Sequence, residues 1–83
     1  PNTRITGAPP ATTSARTARF KFTSTERGSQ FQCKTDWRKG WWTCRSPKRY
    51  SPLRPGRHTF EVRAIDRAGN VDRTPARKVW TIS

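Results

Sequence analysis

Acidic side chains are scarce in this chain: five Asp and Glu stand against eighteen Lys and Arg, a net charge of +13 over 83 residues. There is no Met, one His, one Tyr and only two Cys. Each shortage closes off a chemistry. A nucleophile-base pair would need His58, and strand alternation sets that residue just outside the neighbouring inward-facing positions, beside a Gly turn. Cys33 and Cys44 are nucleophiles only when reduced, and no His lies near them in sequence. Of the carboxylates Glu26, Asp36, Glu61, Asp66 and Asp72, four fall in turns or outward positions, so no acid-base pair is indicated. The spacing of the two Cys and the one His is unlike that of structural zinc motifs. Asp66, Asn70 and Asp72 share one turn and carry the oxygen ligands that calcium takes. The stronger account is that Asp66 and Asn70 bond their own backbone while Gly69 takes a positive φ. The expectation is a protein that is not an enzyme and holds no metal or cofactor.

Long apolar runs are also missing. Hydrophobic residues make up 30% of the chain, and no stretch approaches the roughly 20 residues of a membrane-spanning helix, so membrane insertion is not expected. The first residues lack the pattern of a signal peptide, and a secreted reading therefore expects a mature or excised part of a longer chain. At 83 residues one small domain, residues 1–83, is expected. A domain of this size buries only about 60% of its unfolded surface, so its core is thin.

What is abundant is arginine, thirteen of the eighteen cations. Guanidinium groups donate in pairs to phosphate, sulfate and carboxylate, and a field of this sign attracts polyanions. A coding bias that places Arg at any tolerant surface position is the plainer alternative. In a sandwich of two sheets Arg19 and Lys21 are expected on the outer side of one sheet and Arg63 and Arg77 on the outer side of the other. Arg54, Arg57, Arg67 and Arg73 occupy turns. Such a coat predicts salt-sensitive attraction without recognition of a particular nucleic-acid sequence.

Period-two alternation dominates the chain. Ala18, Phe20 and Phe22 alternate with Arg19, Lys21 and Thr23; Phe31 and Cys33 share one side of a second strand; Phe60, Val62 and Ala64 share one side of a third; Trp80 and Ile82 point inward from a last one. Thr3 to Thr6 reads as an edge strand and Lys48 to Leu53 as a short strand between prolines, while residues 11–17 read as a surface connection. The turns hold Gly, Pro, Asn and Asp, and nothing has helical periodicity. About seven short strands of this kind describe an all-β antiparallel sandwich.

The segment from Cys33 to Cys44 holds both cysteines and three of the four tryptophans. It reads as a hairpin closed at its base by a disulfide, with Asp36 and Gly40 supplying turn chemistry. An even cysteine count across such a hairpin favours an oxidising, extracytoplasmic setting. Trp41 and Trp42 are neighbours on a strand and cannot both be buried.

Phe31-Gln32-Cys33, Trp42-Thr43-Cys44 with Ser46-Pro47, the run from Gly56 to Asp66, Ala68-Gly69-Asn70 with Asp72, Thr74-Pro75-Ala76 and Trp80-Thr81-Ile82 together resemble the bacterial extracellular immunoglobulin-like repeat. That resemblance implies an immunoglobulin- or fibronectin-like sandwich with a Cys33–Cys44 disulfide and Trp42 packed beside it. Such repeats stand in tandem on secreted or surface proteins as spacers, adhesion modules or appendages, and related sandwiches decorate phage particles. Two features depart from the pattern: the strongly basic charge, and Trp37, Arg38, Lys39 and Trp41 where the family has a Gly-rich tip. These four are the candidate ligand-binding residues, with indoles stacking on rings and cations meeting acidic groups. The alternative is that the indoles cover the edge of the core or pair with Arg.

The expected function is a non-catalytic, secreted or cell-surface structural or adhesion module that binds an anionic extracellular polymer or cell envelope. The alternatives are a subunit docking on the acidic protein lattice of a phage particle or fibre, by self-assembly or beside neighbouring domains, and sequence-independent nucleic-acid binding.

Overall fold

A computed structural model describes residues 2–83. Eight strands are formed: β1 (Thr3–Gly7), β2 (Thr12–Thr13), β3 (Ala18–Ser24), β4 (Gln30–Thr35), β5 (Arg38–Cys44), β6 (Lys48–Tyr50), β7 (Gly56–Ile65) and β8 (Ala76–Ile82), with no helix among the described residues. They make two sheets, ordered β1-β3-β6 and β2-β8-β7-β4-β5. All pairings are antiparallel except one: β2 runs parallel to β8, with Thr12 opposite Thr81. That pairing corrects the expectation that residues 11–17 form only a surface connection.

Alternation decides which face each strand buries. Phe20 and Phe22 of β3, Phe60 and Val62 of β7, and Trp80 and Ile82 of β8 are buried, and the residues between them face outward. The two sheets meet through aromatic rings. Phe20 of the three-stranded sheet stacks on Phe60 of the five-stranded one with centroids 3.8 Å apart, and Trp80 meets Phe20 edge-on at 5.2 Å. Cys33 and Cys44 form the disulfide between β4 and β5, and both sulfurs belong to this core.

The end strand β1 packs Ile5 against the core and is further anchored by a buried carboxylate. Thr3 N–H and Thr3 Oγ–H both donate to Asp72 Oδ2, at 2.8 and 2.7 Å, and Thr3 Oγ accepts from Ala64 N–H at 2.8 Å. Burial alone would raise the Asp72 pKa. The bonds from Thr3 and Thr74 outweigh it and hold the carboxyl below its ordinary value. In the adjoining turn Asn70 N–H donates to Asp66 Oδ1 at 2.8 Å, and Gly69 has a φ of 87°. Asn70 Nδ2–H also donates to Asp66 Oδ2 at 3.0 Å, so Asp66 caps the turn as expected while the Asn70 side chain bonds the carboxylate and not the backbone. The side-chain and backbone bonds from Asn70 lower the Asp66 pKa.

Candidate functional site

The β4–β5 hairpin turns tightly through Asp36 and Trp37, and three residues of β5, Lys39, Gly40 and Trp41, then oppose the single residue Lys34. This bulge, with Gly40 at a φ of 82°, is where the chain departs from a regular ladder. Gly40 therefore shapes the strand and not the turn. Asp36 does act at the turn: its Oδ1 accepts from Thr59 N–H at 2.7 Å and its Oδ2 lies 3.2 Å from His58 Nδ1.

Trp37 does not project from a tip. It folds back over the end of the core, edge-on to Tyr50 at 5.2 Å, to His58 at 5.3 Å and to Trp80 at 6.3 Å, while 40% of its surface stays exposed. His58 is buried beneath it, in phase with Phe60, Val62 and Ala64 and not just outside them as expected. Its Nε2 lies 2.7 Å from the Arg54 carbonyl oxygen, so both ring nitrogens are engaged by the fold.

The two neighbouring tryptophans face opposite ways, as alternation requires, but the degree of burial is the reverse of the expectation. Trp42 is opposite Cys33 and turns toward the inter-sheet side, yet it is 48% exposed. Beside the ring stand Lys48 and Tyr50 of the short strand β6, without burying it. Arg38 covers the Trp42 ring instead, its guanidinium carbon 3.5 Å from the centroid, and Trp42 Nε1–H donates to the Lys39 carbonyl at 2.8 Å. Trp41 lies on the outer side and is half-buried, with Arg63 over its ring at 4.1 Å and Lys34 at 5.9 Å. Tyr50 stands close to this cluster. Burial raises its pKa, and the charge of Arg38 opposes that rise.

The hairpin residues thus divide. Trp37 belongs to the end of the core, Arg38 is stacked on Trp42, and Trp41 is held against the outer face of the five-stranded sheet. On that face Arg63 also donates from Nε and Nη2 to Gln32 Oε1, at 2.9 and 2.7 Å, and Arg77 lies 3.7 Å from Glu61. These cations have partners within the protein.

The outer face of the three-stranded sheet differs. Arg19 and Lys21 point outward from β3, as expected, and two cations that sequence reasoning did not single out join them. Arg49 of β6 lies directly opposite Arg19, and Arg4 of β1 lies opposite Thr23, one pair beyond Lys21. All four are exposed, and none of their side chains takes part in an ion pair or hydrogen bond among the described residues. β1, β3 and β6 contain no Asp or Glu. The alternation of the short segments Thr3–Gly7 and Lys48–Tyr50 was the available signal for Arg4 and Arg49, but only the sheet order shows that they share a face.

An open groove of about 400 Å³ runs beside the disulfide, floored by Phe31 and edged by Arg45, Ser29 and Ser46. Its serine hydroxyls are engaged by the fold: Ser46 Oγ accepts from Phe22 N–H at 3.0 Å, and Ser29 Oγ–H lies 2.9 Å from the Glu26 carbonyl. No group of three or more His, Cys, Asp or Glu is placed to hold a metal ion among the described residues. No helix among the described residues is long and apolar enough to cross a membrane. No family model matches the chain, and no characterised protein matches it in sequence.

Proposed function

We propose that this chain is a non-catalytic, secreted or surface-exposed module of immunoglobulin-like β-sandwich type that binds anionic polymers of a cell envelope or extracellular matrix. The observation that carries this reading is how the carboxylates are spent. Asp72 ties β1 to the rest of the fold, Asp36 and Asp66 hold turns, and Glu61 meets Arg77. Five carboxylates cannot neutralise eighteen cations, so the field of the +13 charge is directed at solvent. The disulfide supports an oxidising, extracytoplasmic setting.

Retention on an immobilised sulfated polysaccharide, set against retention on the same matrix without sulfate, tests the proposal. Strong retention on the sulfated matrix alone is expected. Equal passage through both columns at low salt overturns it.

A further inference from the structure

Resting on that reading, we infer that the outer face of the three-stranded sheet, through Arg4, Arg19, Lys21 and Arg49, is the docking surface for a sulfated or carboxylated polysaccharide. The cations form a track. Arg19 and Arg49 are directly opposite across β3 and β6, which sets their Cβ atoms roughly 5 Å apart. Lys21 follows Arg19 two residues along β3, about 6.6 Å further on, and Arg4 continues the line from the neighbouring strand. The four therefore run diagonally across the three strands, over roughly 13 Å along the strands and about 10 Å across them.

Like charges directly opposite each other on a sheet are destabilising. The folded chain carries that cost at Arg19 and Arg49 with no acid in any of the three strands to relieve it. A polyanion lying along the face supplies the missing counter-charge, and the guanidinium groups suit sulfate and carboxylate because they donate in pairs. The outward positions hold no aromatic: beside the cations stands Thr23. Stacking on bases and readout in a groove need aromatics or an inserted element, and this face has neither. Against binding of duplex phosphates alone stands the disulfide, which supports an extracytoplasmic setting, where envelope and matrix glycans are the polyanions at hand. A glycan recognised by its anionic groups alone fits what is present.

The test compares three proteins for affinity to a highly sulfated polysaccharide of heparin type, to a neutral dextran and to duplex DNA. They are the unaltered chain, the triple variant Arg19→Ser/Lys21→Ser/Arg49→Ser, and the charge-matched control Arg54→Ser/Arg67→Ser/Arg73→Ser on turns. The face variant is expected to lose at least tenfold in affinity for the sulfated polysaccharide and the control less than about threefold. Equal losses in both overturn the docking face while leaving polyanion binding in place. Tighter binding to duplex DNA than to the polysaccharide, lost in the face variant, overturns the choice of partner. Absence of binding by all three proteins removes both this inference and the function it rests on. A single R49E variant guards against a folding artefact: it gives Arg19 an acidic neighbour, so its melting temperature should rise while its affinity falls. A melting temperature and an affinity that fall together count against the inference.

Discussion

Trp37 and Tyr50 meet edge-to-face, centroids 5.2 Å apart and planes at 81°, although one lies on the hairpin turn of the five-stranded sheet and the other in the short end strand of the three-stranded sheet. The contact closes one end of the core over His58 and Trp80. Trp37→Ala should therefore destabilise the fold by about 1–3 kcal/mol, with little change in retention on a sulfated matrix. Chemical denaturation measures the first and salt elution the second. Unchanged stability with lost retention would return Trp37 to the role of an exposed ligand platform.

Trp41 and Arg63 provide a second stability test. Arg63 lies 4.1 Å over the indole and is steadied by Gln32, so a double-mutant cycle of Trp41→Ala with Arg63→Ala should give a coupling of about 0.5–1 kcal/mol. Additive effects would mean that the stacked geometry contributes nothing.

Asp72 makes stability depend on pH at the acid end. Its pKa in the folded chain is lowered, so its contribution is complete above the unfolded value near 3.9 and is lost as pH falls through the lower folded value. Asp72→Asn places an amide N–H among donors, or leaves Thr3 or Thr74 with a poorer acceptor. It should cost about 1–3 kcal/mol at neutral pH and flatten the fall in stability below about pH 4. Urea denaturation at a series of pH values reads both effects, and an unaltered acid limb would contradict the assignment.

The disulfide closes a short loop across β4 and β5. Thiol titration of the unfolded chain without reductant should find no free Cys, and reduction should lower stability by roughly 3 kcal/mol. Two free thiols would contradict the extracytoplasmic setting.

How much of this was legible beforehand follows from what each feature depends on. The strands β3, β4, β7 and β8 announce themselves because local alternation alone selects their buried faces. The disulfide and the Asp66–Asn70 turn were also readable, each being set within about a dozen residues. β2 was not: its two residues have no pattern, and their pairing comes from the place β8 happens to occupy. Trp42 lies on β5, the end strand of its sheet, where alternation sets a direction but not burial, and the return of Trp37 onto Tyr50 depends on how the two sheets are stacked. The cationic face needed the order β1-β3-β6, which no spacing in the chain reveals. What looked like an even coat of charge is divided by the fold into cations with internal partners and cations without them.

Affinity for the sulfated polysaccharide measured against salt concentration tests the central claim most directly. Plotted as log K against log salt, the unaltered chain should fall with a slope of about −3, taking for each of four neutralised groups the roughly 0.7 counterions released from a single-stranded nucleic acid as the nearest flexible polyanion. The Arg19→Ser/Lys21→Ser/Arg49→Ser variant should lose most of that slope. A slope near zero for the unaltered chain, or one that the variant leaves unchanged, would contradict the account.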